Sequence, residues 1–161
     1  MSEPITVRLC EVGDLPQLAQ REPHPAANYA ANHFSRQQKG NYFFAVAWRG
    51  DEPLGTSVLD CRPGKLQPEL KSLWVYPNAR RQGAARALTR FLESEALRQE
   101  FTEVFLRVDP ANEAAIPMYI SLDYTPTGDH RTTTYEYVDE TGQRRTREQI
   151  DAVYRKSLRL A

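Results

Sequence analysis

Leu73 to Leu88 read LWVYPNARRQGAARAL, an order that puts two arginines and a glycine at a strand-to-helix junction. The apolar run ends at Val75, and Pro77, which has no N–H to donate, stops it from continuing as a paired strand. Arg80, Arg81, Gln82, Gly83, Ala84 and Ala85 follow. A helical pattern then begins at once, with Leu88, Phe91, Leu92 and Ala96 on one face. A helix N-terminus carries unpaired N–H groups and about half a unit of positive charge, so it suits a phosphate. Gly83 has no Cβ to keep a ligand off the backbone, and Ala84 and Ala85 are the next smallest choices. The chemistry indicated is the binding of a phosphorylated ligand. Taken alone, the hexapeptide fits an ordinary surface turn at a helix start equally well. Neither the GxxxxGK-Ser/Thr phosphate loop nor the GxGxxG dinucleotide pattern occurs.

A second group lies between Asn112 and Tyr124, read NEAAIPMYISLDY, after an alternating strand that ends at Asp109-Pro110. Asn112 is a good helix N-cap, and its amide could also bond polar groups of a ligand. Tyr119 comes seven residues later, about two turns on and so on roughly the same face. A tyrosine at this spacing reads either as a core residue, the commoner case, or as a catalytic one.

These residues need elements to position them. Ile5 to Leu9 alternates as a first strand; Asp14 caps a helix to about Gln20, with Pro16 early in it; Pro23 and Pro25 break it. A second helix spans Ala26 to Gln38 and carries Tyr29, His33 and Phe34. Gly40-Asn41 turns the chain into Tyr42 to Trp48, an apolar run buried on both faces. Hairpin turns at Gly50-Asp51 and Pro63-Gly64 bracket Leu54 to Cys61, and Glu69 to Val75 is the next strand. The helix from Gly83 to about Gln99 shows Arg86, Arg90, Glu93 and Arg98 outward. Val104 to Asp109 is a strand, Asn112 to Leu122 a short helix, and Tyr124 opens another strand. Thr132 to Val138 has the β-branched and aromatic content of a strand. Arg144 to Ile150 is polar and reads as strand or helix, and Val153 to Leu160 as a last strand. The order is that of an α/β fold with a mixed central sheet flanked by helices, not a uniform βαβ series.

With 161 residues the chain is expected to be one domain, residues 1–161, with a sizeable core. Its 21 basic and 21 acidic side chains cancel, which argues against a general nucleic-acid or membrane-surface binder. Cys10 and Cys61 have no metal-ligand spacing and read as reduced structural thiols in a cytosolic protein; no metal is expected. MSEPITVRL lacks the pattern of a signal peptide, and no apolar run approaches the ~20 residues of a membrane span. A soluble, cytoplasmic protein is expected.

Together the two motifs resemble the GNAT family of N-acetyltransferases. The family's acetyl-CoA loop, R/Q-x-x-G-x-G/A between a strand and a long helix, is matched by Arg80 to Ala85. Its helix N-x-x-A-x-x-x-Y-x-x-x-G-F/Y is matched by Asn112, Ala115, Tyr119 and Tyr124, with Asp123 standing where the family usually has Gly. The resemblance is specific over Glu69 to Tyr124. It implies a mainly antiparallel central sheet and acetyl-CoA as co-substrate. Backbone groups of Leu73, Trp74 and Val75 would pair with the pantetheine arm, and the amides of Arg81 to Arg86 would hold the pyrophosphate. Asn112 would contact the arm, and Tyr119 would protonate the leaving thiolate. A phenol of pKa ~10 can donate to a thiolate whose thiol has ~8.5. Direct attack by a neutral amine makes neither cysteine a necessary nucleophile.

The base is open between Glu69, where the family often places a carboxylate working through water, and a plain ion-pair role for that residue; Asp60, Asp109, His33 and His130 are weaker candidates. The resemblance places the acceptor between Glu22 to Phe34 and Asp129 to Ile150, with Tyr29, Phe34, Tyr135 and Tyr137 as candidate lining. Tyr135 to Arg147 reads as a flap or a solvated hairpin, and Arg144 to Arg147 as a solvated face or a docking patch for an acidic acceptor. The expected reaction is acetyl transfer to a primary amine on a small molecule or a peptide, by direct attack in a ternary complex. A non-catalytic CoA-binding regulator and a protein-interaction module on the same fold are the alternatives. Such domains often pair through sheet edges or C-terminal strands, so a homodimer is an open expectation.

Overall fold

The structure is a computed structural model that describes residues 3–158. Its elements are β1 (Ile5–Leu9), α1 (Leu15–Ala19), α2 (Tyr29–Lys39), β2 (Tyr42–Arg49), β3 (Glu52–Asp60), β4 (Glu69–Val75), α3 (Ala84–Arg98), β5 (Glu103–Val108), α4 (Ala115–Ser121), β6 (Thr125–Val138) and β7 (Arg144–Ser157). The strands form one sheet in the order β1-β2-β3-β4-β5-β7-β6. Only β4 and β5 run parallel; every other neighbouring pair is antiparallel.

Both faces of the sheet's first half are covered, which is why Tyr42 to Trp48 is apolar without alternation. Ala45 and Ala47 share a side with Val7 and Leu9 of β1, and their small size lets α3 lie close, burying Leu88, Leu92 and Ala96. Tyr42 and Phe44 point the other way, onto His33 of α2, with ring centroids 6.0 and 5.0 Å apart. Cys10 and Cys61 are buried free thiols just beyond β1 and β3, and burial pushes both up to about 12. No helix among the described residues is long and apolar enough to cross a membrane.

Two expectations, on Asp14 and Glu93, need correction, and one left open between strand and helix, Arg144 to Ile150, is settled. Asp14 does not cap α1: its carboxylate accepts the Glu11 N–H at 2.8 Å and two Arg8 bonds, closing the short turn Val12–Asp14 before the helix. Arg144 to Ile150 is strand, continuous with the strand expected from Val153, because its partner is the equally long β6; only the residues beyond Leu158 lie outside the described part. Glu93, expected outward on α3, is buried.

Two irregularities in β4 shape the centre of the sheet. Against β3, Val58 faces Lys71 and Thr56 faces Trp74, so Ser72 and Leu73 oppose Ser57 alone. This is a β-bulge, and Ser72 takes a left-handed φ of +56° to make it. Against β5, the register holds only for Glu69 with Phe105 and Leu70 with Leu106. Beyond Leu70 the two strands part, and among the described residues the β4 edge from the bulge to Val75 has no strand partner on that side.

Candidate active site

The unpaired edge of β4 runs directly into the arginine loop. The Tyr76 N–H returns to the Leu54 carbonyl at 3.0 Å, and Pro77–Ala79 make a single tight turn. Arg81 and Gly83 then take φ of +65° and +98°, two left-handed steps that turn the chain into α3. Gly83 is the N-cap and offers no side chain, so no side chain satisfies the first amides of α3. Gln82 receives a hydrogen bond from the Arg49 guanidinium, which ties the loop to the end of β2. The Arg80 Nε donates to the Val75 carbonyl at 3.1 Å, and its guanidinium lies 5.2 Å over the Trp74 ring. Ala84 is buried beneath the loop, whereas Arg80, Arg81, Gln82, Gly83 and Arg86 are exposed and Ala85 half-buried. A Cβ at Gly83 would meet little, so its requirement is conformational. If the loop holds the pyrophosphate of CoA, as the resemblance implies, Gly83→Val should weaken CoA binding about tenfold, since a β-branched residue resists a left-handed φ by roughly 1–2 kcal/mol. Calorimetric titration with CoA measures it; an unchanged affinity would remove the loop from the CoA site.

On the α3 side of the sheet, α4 follows β5. The N-cap of α4 is Ala114, not the expected Asn112, but the Asn112 side-chain oxygen accepts the Ala115 N–H at 3.0 Å, and its amide NH₂ makes no hydrogen bond among the described residues. Tyr119 is the buried residue of α4, and its hydroxyl has no hydrogen-bond partner among the described residues. Burial pushes its phenol up to about 12. Its ring meets Tyr124 edge-on at 5.6 Å. Tyr124 is in turn locked: its hydroxyl donates to Glu93 at 2.6 Å, and Lys156 of β7 reaches the other Glu93 oxygen at 3.0 Å. Burial, then the neighbouring Glu93 carboxylate, keep the Tyr124 phenol protonated far above its ordinary range. Glu93 and Lys156 thus position Tyr119 through Tyr124. Sequence reasoning missed them because a lone charge on a helix reads as solvated; the only signal was that Glu93 adjoins Leu92 on the most buried arc of α3.

On the α2 side, Glu69 is buried and held by Arg107, with Nε 2.6 Å from Oε2 and Nη2 3.2 Å from Oε1. Arg107 also donates to the Thr133 hydroxyl at 3.1 Å. Burial would raise the Asp60 carboxyl, but hydrogen bonds from Arg62 and Lys71 outweigh it and hold the group at about 2. His33 is pushed down to about 4 by burial and by the nearby Arg36 and Lys71, so it is neutral at pH 7; its Nδ1 lies 2.6 Å from the Tyr42 hydroxyl. Asp109 accepts the Ala111 N–H, and His130 is exposed on β6. A cavity of about 510 Å³ opens between α2 and the bulge, lined by Tyr29, His33, Phe44, Ser72, Trp74 and Val138 among others. A smaller one of about 240 Å³ adjoins it and adds Tyr137. The tip of the β6–β7 hairpin therefore walls these cavities. Phe34 and Tyr135 do not line them: Phe34 packs against the core, and Tyr135 bonds the Asp151 carboxylate.

The model of the acetyltransferase (GNAT) family matches residues 9–124, which include the β4 edge, the arginine loop and α4. The chain belongs to the GNAT family. Among curated proteins, none matches its sequence significantly. Solved structures match over nearly the whole chain. An N-acetyltransferase from Staphylococcus aureus Mu50 is 20% identical with a TM-score of 0.72, covering 98% of this chain and 100% of its own. The ribosomal-protein-S18-alanine N-acetyltransferase from Escherichia coli is 21% identical with a TM-score of 0.68, covering 98% and 96%. A putative acetyltransferase from Salmonella typhimurium, solved with acetyl-CoA, is 19% identical with a TM-score of 0.69, covering 98% and 95%. At these identities the likeness is one of fold: the mixed, mainly antiparallel GNAT sheet.

Within that fold, the β4 edge at Leu73 and Trp74 has no strand beside it, the Val75 carbonyl is taken by Arg80, and the tight turn Pro77–Ala79 links this edge to the uncapped N-terminus of α3 at Gly83. That arrangement can take an extended arm ending in a phosphate group. Tyr119, on α4 after β5, stands on the α3 side of the sheet, and Glu69, on β4, stands on the α2 side.

Proposed function

We propose that this GNAT chain transfers an acetyl group from acetyl-CoA to a primary amine in a ternary complex. The observation that carries the reading is the unpaired β4 edge leading straight into the uncapped N-terminus of α3. Backbone groups of Leu73 to Val75 would receive the pantetheine arm, and the amides of Arg81 to Arg86 the pyrophosphate. Asn112 would use its uncommitted NH₂ on the arm. GNAT structures of the same fold are named for ribosomal-protein alanine, aminoglycoside and spermidine acceptors, all amines.

In the proposed step the neutral amine attacks the thioester carbonyl; a C–N bond forms and the C–S bond breaks. The amine's proton leaves through water toward Glu69, whose oxygens keep lone pairs beyond those engaged by Arg107. The Tyr119 phenol gives its proton to the departing CoA thiolate and is refilled from solvent. Its hydroxyl has no competing acceptor among the described residues, which favours donation to the sulfur. Cys10 and Cys61 are buried thiols raised to about 12, so at neutral pH neither offers the thiolate that a covalent route needs.

Initial rates with acetyl-CoA and an amine varied together should give intersecting lines. A parallel, ping-pong pattern with an acetylated protein side chain would overturn the direct route. Thermal stabilisation by CoA with no transfer to any amine of a broad panel would favour a non-catalytic CoA-binding module instead.

A further inference from the structure

A third cavity, of about 420 Å³, lies on the α2 side of the sheet at the closed end of β4 and is lined by Asp60, Arg62, Lys65, Glu69, Arg107 and Arg131, together with the Pro63-Gly64 turn and Leu66. Four cations there face two carboxylates. Both carboxylates are already committed, Asp60 to Arg62 and Lys71, and Glu69 to Arg107. Lys65 and Arg131 make no ion pair among the described residues, and the Arg131 Nε is buried without a hydrogen-bond partner. Its register partner across the ladder, Asp151, does not take it up: Asp151 is fully buried and bonds Tyr135 and Gln149 instead. A guanidinium with an orphaned donor, in a cavity with surplus positive charge, is short of an oxyanion.

The cavity shares a sheet face with the two at the bulge. Asp60 and Glu69 are direct cross-strand partners, and Lys71, two residues on, bridges to Asp60 and lies 5.8 Å over Tyr42 beneath α2. Along β4, Glu69 and Ser72 are three residues apart, about 10 Å. An extended peptide advances about 3.3–3.6 Å per residue, so a group two or three residues from an amine at the bulge would reach Arg131.

We propose that the acceptor is an anionic amine, a peptide N-terminus with a carboxylate two or three residues downstream, and that Arg131 and Lys65 bind that carboxylate. This rests on the acetyl-transfer reading for the position of the amine. The same surplus charge disfavours a polyamine, whose own cations would be brought against Arg62, Arg131 and Lys65.

The test uses two tripeptides, Ala-Ala-Asp amide and Ala-Ala-Asn amide, which differ only in one charge, with CoA-loaded protein for binding and acetyl-CoA as donor for turnover. Affinity by calorimetry and kcat/KM for acetylation should each favour the acidic peptide by about tenfold. Arg131→Gln should bring the ratio close to one. Lys65→Gln, on an exposed loop where misfolding is not at issue, should bring it part of the way. Equal affinities in the unmodified protein, or a ratio that neither substitution lowers, would overturn the proposal. A binding preference without transfer to either peptide would keep the carboxylate site but overturn a peptide N-terminus as the acceptor; only a broad amine panel without transfer would overturn acetyl transfer itself.

Discussion

Tyr119→Phe should lower kcat by about 100-fold while leaving the KM for acetyl-CoA within about twofold. The substitution removes one hydroxyl and keeps the ring that meets Tyr124 edge-on at 5.6 Å. That hydroxyl has no partner among the described residues, so the fold loses no hydrogen bond with it. Stability should therefore stay within about 0.5 kcal/mol, and any loss of rate belongs to the chemistry. A loss confined to kcat is the signature of a group that acts only as the thiolate leaves. Burial raises the phenol to about 12, above its ordinary value, so the proton remains available well past pH 10. Any basic fall in kcat caused by Tyr119 should begin above pH 10, not near neutrality. An unchanged kcat in Tyr119→Phe would remove Tyr119 as the acid and leave it a core residue.

Much of this arrangement was legible before any coordinates. β4 spans the residues its apolar content indicated, Glu69 to Val75, because a strand in mid-sheet must match the burial around it. The arginine loop was legible because its shape is local: a proline that ends pairing, a glycine that takes φ +98°, and a helix that starts at once. Asp123 took the left-handed φ of +75° that the family's glycine would take, as a short Asx side chain permits. What stayed hidden depends on distant partners. The bulge at Ser72 exists because β3 and β4 shift register, which no residue of SLW announces. Glu93 is buried because Tyr124, just before β6, and Lys156 of β7 arrive to satisfy it, 31 and 63 residues away. Arg144 to Ile150 gave no clear period because much of the β6–β7 ribbon is exposed, and a strand with no buried face need not alternate.

Arg107→Met should destabilise the protein by about 2–3 kcal/mol, and that cost bears on what Glu69 does. Removing one member of a buried ion pair usually costs about 3–5 kcal/mol, because the other charge is left in low dielectric without a partner. The Glu69 side chain is 10% exposed but that of Arg107 is 27% exposed, so water screens part of the loss. Thr133 loses its donor as well. Denaturant unfolding measures the effect, and the double variant Arg107→Met with Glu69→Gln should recover much of it, since no charge is then stranded. Strict additivity of the two single changes would mean that the pair is not coupled in solution. Glu69→Gln alone separates structure from chemistry. It keeps the shape and an oxygen for Arg107, so stability should fall by only about 1 kcal/mol. If the carboxylate receives the amine's proton, turnover should fall about 100-fold at that small cost. A Glu69 that served only to anchor Arg107 would show the reverse order, with Arg107→Met the slower enzyme and Glu69→Gln close to wild-type rate.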